Sequence, residues 1–363
     1  IIFTHEVNSL DEPSCYIIAV PTPVDEHQIP NLRPLLDATA IVGAVLKKGD
    51  IVIYESTVYP GCTDEECIPL LEKVSWLKIN QDFKVGYSPE RISPGDNTRT
   101  LQQIVKLVSA SDMEGLEQVK KLYSLLIPAG VFATDSIRIA EAAKVIENTQ
   151  RDLNISLMNE LAIIFDKMGL DTGKVLEAAS TKWNFISLTP GLVGGHCISV
   201  DPYYLTFKAK ELGYEPQVIL SGRRVNDQMP QWIAKKCIQM LLDKAKNPSS
   251  AQILVMGISF KENISDIRNS KAMDLVKELN SYHVKVDIYD PHANAGEVQK
   301  VYGLALLDKL EKQYDAVIVA VGHRKFKELG SAFFEKILVK SGVLIDVKGL
   351  IQDCKDKFDY WKL

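Results

Sequence analysis

"CYIIAVPTP" (15–23) is a short apolar run closed by two prolines, and its reading decides the fold. A strand buried on both faces shows no polar alternation, so an unbroken run of this length points to a parallel sheet. The pattern returns in "DIVIYESTVYPG" (50–61) and "FKVGYSPERISPG" (83–95), with a helical pattern, "PLLDATAIVGAVLKKG" (34–49), between the first two. Strands alternating with helices imply a doubly wound α/β sheet, whose ligands bind outside the carboxyl ends of the strands. Polar residues follow the runs at those ends: Thr22, then Glu55 and Thr57, then Glu90.

Farther along, the pattern becomes helical. A long helix is expected from about Asp135, a capable N-cap, to Gly169, with Leu153, Leu157, Leu161, Ile164 and Met168 as an apolar stripe. More helix follows between about 202 and 245, where Pro230 kinks it or opens its next segment. After a stretch of linker composition (243–251), strands return at 253–260, 284–291, 315–323 and 342–350. The expected class is therefore α/β, with two doubly wound Rossmann-like parallel-sheet domains joined by a central helical domain. The expected boundaries are 1–133, 134–245 and 246–363.

Composition narrows the function classes. The 363 residues are 46% apolar and 25% charged, with a net charge of −5, which favours neither nucleic acid nor a membrane surface. No apolar run approaches the roughly 20 residues that span a bilayer. Six scattered cysteines without a C-x-x-C pair argue against a zinc site or a disulfide framework and fit a reducing, cytoplasmic setting. No metal is expected.

"GLVGGHCISVDPYY" (191–204) is the densest candidate for chemistry. Its glycines, among them Gly194 and Gly195, permit positive φ angles and close approach to a ligand. Cys197 is a candidate nucleophile whose thiolate His196 or a lysine would favour; the alternative is a tight turn with a buried cysteine. In "EAAKVIENTQRD" (141–152), Lys144 and Asn148 lie four apart on one helical face, suited to donating to a developing oxyanion. A solvated helix face is the alternative there. Lys261 and Arg268, in "GISFKENISDIRNS", follow a strand and suit phosphate oxygens, or else form a solvated charge cluster. The first lobe contains no strand–G-x-G-x-x-G–helix unit, and the first βαβ unit is expected to be missing from this sequence. Poor binding of NAD would follow.

Taken in order, "VPTP", "ESTVYPG", "YSPERISPG", "EAAKVIENTQRD", "GLVGGHCISVDP" and "FKENISDIRNS" resemble the UDP-glucose/GDP-mannose dehydrogenase family over essentially the whole chain. The resemblance implies an NAD-binding domain, a central dimerisation domain giving a homodimer, and a C-terminal domain for the UDP-sugar substrate. It further implies a four-electron oxidation of the sugar C6 hydroxymethyl group to a carboxylate, reducing two NAD+. Cys197 would form a thiohemiacetal and then a thioester. Lys144 would stabilise the oxyanions, Asn148 help to position the oxyanion or a water, and Asp201, one turn beyond Cys197 if a helix starts there, support Lys144 or the water. Glu90 would be the acid/base for hydrolysis with Thr57 beside it. Thr22, Pro23 and Glu55 would line the NAD cleft, Arg268 would reach the pyrophosphate, and Lys261, Gly194 and Gly195 would meet the substrate.

Within the family, the branch acting on UDP-N-acetylhexosamines is most similar. UDP-glucose enzymes carry an acid where this chain has Pro94, and an arginine in the loop where it has only Lys182. UDP-N-acetylglucosamine or its galacto epimer is the expected substrate, with UDP-N-acetylmannosamine and UDP-glucose as alternatives. A non-catalytic nucleotide-sugar binder, or a two-electron dehydrogenase needing no Cys197, are the competing readings.

Overall fold

The computed structural model describes residues 3–25, 27–93, 98–354 and 357–363. In chain order they form β1 (Cys15–Ile18), α1 (Arg33–Val45), β2 (Ile51–Tyr54), α2 (Ile68–Ser75), β3 (Lys84–Tyr87), β4 (Lys106–Ala110), α3 (Met113–Leu126) and β5 (Val131–Ala133). The long α4 (Ile137–Met168), α5 (Thr172–Ala179), α6 (Asp201–Glu211) and α7 (Gln217–Asp243) follow. Then come β6 (Gln252–Met256), α8 (Lys271–Ser281), β7 (Lys285–Tyr289), α9 (Ala295–Tyr302), β8 (Tyr314–Val319), α10 (Arg324–Lys327), α11 (Ser331–Ile337), β9 (Leu338–Asp346) and β10 (Asp359–Lys362). No helix of the described residues is long and apolar enough to cross a membrane.

The chain makes two compact units, 1–150 with 200–216, and 151–199 with 217–363. The first holds a sheet of order β1-β2-β3-β4-β5. Its first three strands are parallel, as their apolar runs require, and every residue of β2 is buried. In β1, Ile17 is 48% exposed, short of the full burial expected, because β1 stands at one end of the strand order. β4 was not expected and runs antiparallel to β3. Among the described residues only a 3-10 turn, Leu101–Gln103, lies between them, and with no crossover helix the chain returns along its neighbour.

The second unit holds a wholly parallel sheet of order β10-β9-β8-β6-β7. All six residues of β8 are buried, as an apolar run between two covered faces should be. Asn294 caps α9 by accepting from Glu297 N, and Gly303 ends it at φ +69°, where a glycine carries no Cβ penalty.

The helical elements depart from expectation in three respects. Ser136, not Asp135, accepts an amide at the start of α4, from Ile139 at 3.3 Å. Pro230 sits inside a continuous α7. Of the expected stripe, Leu157, Ile164 and Met168 are 49%, 43% and 62% exposed and Leu153 and Leu161 half-buried, whereas Asp152, Ser156, Asn159 and Ala162 are buried.

Candidate active site

In the first unit the chemistry gathers where α4 meets the start of α6. Pro202 lies at the first turn of α6, where its missing N–H leaves no bond unmade, so the helix begins at Asp201. Cys197 therefore precedes the helix, in a bend, and is not one helical turn from Asp201 as expected. Lys144 and Asn148 occupy successive turns of α4. Asn148 Nδ2 donates to Asp201 Oδ2 at 2.6 Å. Lys144 is only 7% exposed, which excludes the solvated-face reading. Burial pushes the Asp201 carboxyl up to about 6, against the opposing Lys144 charge and the Asn148 hydrogen bond. A buried amine, an amide and a carboxylate of raised pKa thus share one small volume, a combination typical of catalytic sites.

The strand-end residues are tied to one another. Thr22 Oγ1 donates to Thr57 O at 2.6 Å, Ser56 Oγ to Val20 O at 2.7 Å, and Tyr204 Oη of α6 to Thr22 O. Thr22 and Thr57 are half-buried and Pro23 is exposed. Glu55 accepts from Tyr123 Oη, and Lys106 Nζ lies 3.4 Å from both Glu55 Oε1 and Glu90 Oε2. Glu90 Oε1 also accepts Arg91 N and Ile92 N, each at 2.6 Å. Lys106, itself buried, was not anticipated, since a lone lysine opening a five-residue strand carries no pattern. Neither was Glu141, which accepts Gly61 N, Thr63 N and Thr63 Oγ1 and so fixes the "YPGCT" turn to α4 one turn before Lys144. Pro94 lies outside the described residues.

In the second unit, Cys197 is exposed on its glycine turn, contrary to the alternative of a buried thiol, and all six cysteines are outside disulfides. The glycines have a local cause. Gly195 stands at φ +92° with its N–H bonded to Asn269 O at 3.1 Å, and a Cβ there would fall 2.7 Å from the Phe260 ring. A Cβ on Gly194 would strike the Asn269 carbonyl oxygen. His196 turns to Asp266 (3.8 Å) and the edge of Phe260. Burial, with Arg268 nearby, lowers its pKa, so at neutral pH it is uncharged and is a poor promoter of the thiolate. Arg268 is exposed and forks onto Asp266 at 2.7 and 3.0 Å, and Lys261 is half-buried on the same loop.

Lys348, which follows β9, was also missed. Its Nζ crosses over Gly191, where a Cβ would lie 2.6 Å away, and burial lowers its pKa. It lines a cavity of about 410 Å³ together with Lys174, Ser187, Thr189 and Pro190. The polar residue after the apolar run of "LIDVKG" was the available signal.

Ligand-suited groups at parallel strand ends and a buried lysine beside a carboxylate of raised pKa suit an enzyme built on a ligand-binding α/β fold. Sequence models of the UDP-glucose/GDP-mannose dehydrogenase family match the chain at 1–127 (NAD binding domain), 138–228 (central domain) and 254–353 (UDP binding domain). The chain belongs to that family, and NAD is its cofactor. It is 51% identical to a UDP-N-acetyl-D-glucosamine 6-dehydrogenase of Salmonella typhi over 95% of this chain and 82% of that protein. It is 50% identical to the enzyme of the same name from Pseudomonas aeruginosa, over 97% and 84%. Among solved structures it resembles a UDP-D-ManNAc dehydrogenase from Pyrococcus horikoshii, with TM-score 0.90 and 31% identity over 99% of this chain and 83% of that one. The polar groups that follow the parallel strands of the first unit, Thr22, Glu55 and Thr57, suit a polar nucleotide cofactor such as NAD.

Proposed function

We propose that the protein oxidises C6 of UDP-N-acetylglucosamine to the uronic acid, through a covalent adduct on Cys197. The observation that carries this reading is an exposed thiol on a tight glycine turn in a chain half-identical to two enzymes named for that substrate. The galacto epimer is a further substrate to test. NAD+, when bound, accepts a hydride in each of two oxidations. In the first, the C6 alcohol gives up a hydride and its hydroxyl proton, and Lys144 stabilises the developing alkoxide from its buried position. An aldehyde carbon cannot release a second hydride until a nucleophile makes it tetrahedral. The Cys197 sulfur therefore bonds to C6, the carbonyl electron pair moves to oxygen, and the thiol proton passes to that oxygen. The resulting thiohemiacetal loses a hydride and its hydroxyl proton to become a thioester. Water then bonds to the acyl carbon, the C–S bond breaks, and the thiol regains a proton as the carboxylate leaves.

Asn148 orients the water or the oxyanion, and Asp201 holds Asn148 and balances the Lys144 charge. Glu90, with Thr57 beside it, serves as the acid/base of hydrolysis. Thr22, Pro23 and Glu55 face NAD, with Arg268 directed to its pyrophosphate. Lys261, Gly194 and Gly195 contact the sugar nucleotide, and Lys348 beside its cavity suits the substrate diphosphate. The three family matches support functional divisions near 1–133, 134–245 and 246–363. The exposed stripe on α4 supports a homodimer through the central helices. The test is kcat/KM across UDP-N-acetylglucosamine, its galacto and manno epimers and UDP-glucose with the full-length protein. UDP-N-acetylglucosamine should lead; UDP-glucose used equally well would refute the assignment.

A further inference from the structure

Two charged residues with no part in this chemistry, Asp152 on α4 and Arg223 on α7, are buried together in the second unit, at 0% and 2% exposure. Removing two charges from water costs so much that such a pair is weak evidence for stability, and its value often lies in fixing one arrangement. Here the arrangement leads to the thiol turn. Arg223 Nη1 donates to Asp152 Oδ1 at 2.6 Å, and Asn226 Nδ2 donates to the same oxygen at 2.8 Å. Asn226 Oδ1 in turn accepts from Asn159 Nδ2 at 2.8 Å. Asn159 then grips a single residue, Gly191, from both sides: Nδ2 donates to Gly191 O at 3.1 Å, and Gly191 N donates to Oδ1 at 2.8 Å. Asn159 and Asn226 are both wholly buried. A Cβ on Gly222 would strike Leu153, so this close helix contact is itself built into the sequence.

Each amide has only one workable orientation. Turning the Asn159 amide over would set its NH2 against the Gly191 N–H and its oxygen against two acceptors. Gly191 opens the turn that carries Cys197, and the Gly195 N–H is pinned separately by Asn269 O. The thiol thus hangs from a turn held at two backbone points, one of them through a four-residue buried relay.

We propose that Asn159, oriented through Asn226 by the Asp152–Arg223 pair, is a positioning residue that sets where the Cys197 sulfur stands. This rests on the reading of Cys197 as the nucleophile. The test is Asn159→Asp in the full-length protein, followed by single-turnover formation of the first and second NADH from UDP-N-acetylglucosamine. The substitution keeps an acceptor for Gly191 N–H and removes both donors. The first hydride needs no sulfur, so its rate and KM should stay within about threefold, while the second slows by at least about 30-fold, as misplacement of a reacting group does. The ratio of the second-step rate to that of the wild type should recover as pH falls, because the protonated side chain regains one donor. Equal slowing of both hydrides, or of neither, would overturn the proposal. Cys197→Ser run alongside separates the two claims: if it still makes uronate, the nucleophile assignment fails and takes the positioning role with it. Hydrogen exchange on the wild type provides a test that does not depend on the variant folding. The Gly191 amide should exchange only with global unfolding, and exchange within seconds would contradict the clamp.

Discussion

Asn148 Nδ2 and Asp201 Oδ2 lie 2.6 Å apart, joining the middle of α4 to the first residue of α6 inside a buried site. With Lys144 they form a set in which the carboxylate must be ionised to balance the amine and hold the amide.

If this set acts in the proposed reaction, Asp201 should govern its acid limb. Its carboxyl, pushed to about 6 by burial, gains a proton as pH falls below that value and no longer balances the Lys144 charge. The wild-type kcat should drop below about pH 6, and Asp201→Asn should lose that limb while its plateau falls by about 10²-fold or more. A pH–rate profile of both proteins checks this; an unchanged limb in the variant would assign it elsewhere.

Glu141 makes a separate prediction, about stability. Burial raises its carboxyl from 4.5 to about 7, although three hydrogen bonds oppose the shift. Between those values the native state holds a proton that the unfolded chain has lost. Its contribution is thus complete below about pH 4.5 and disappears as pH rises through 7. Denaturant melts should show wild-type stability falling over that window by up to about 3 kcal/mol from this group. Glu141→Gln should lack that part of the slope, so the gap between the two proteins should narrow from pH 5 to pH 7.5.

Gly194 tests whether the thiol turn is shaped by its own unit. A methyl at this position meets the Asn269 carbonyl oxygen and lies 3.1 Å from Lys271 N, both backbone atoms with little room to yield. Gly194→Ala should cost about 1–3 kcal/mol, as overpacking does, and suppress uronate formation. Thermal unfolding together with turnover decides it; an unaltered melting temperature would mean that the turn has slack.

The sequence announces some of this architecture and conceals the rest for physical reasons. Long buried strands such as β8 are legible because both faces are apolar. β5 and β10, three and four residues long, are too short to carry a period, and the antiparallel direction of β4 goes with a connection whose described residues hold only a 3-10 turn. Lys144, Asn148 and Asp201 could be singled out by spacing and resemblance, but the burial that excludes the solvated reading of Lys144 appears only in three dimensions. Asn159 and Arg223 were invisible because asparagine and arginine on a helix ordinarily face water. The glycines could be read as permitting positive φ and close approach to a ligand, but the Asn269 and Phe260 groups that crowd Gly194 and Gly195 appear only in three dimensions.

The central claim is the covalent role of Cys197, and the NADH yield from a limiting amount of UDP-N-acetylglucosamine tests it most directly. The wild-type full-length protein should give two NADH per sugar. Cys197→Ser should bind the substrate normally and lose steady-state uronate formation by orders of magnitude, since a hydroxyl is a far weaker nucleophile at neutral pH. Any slow addition by serine should leave an ester-linked sugar visible by intact mass. Two NADH per sugar from Cys197→Ser at near-normal rate would contradict the covalent mechanism.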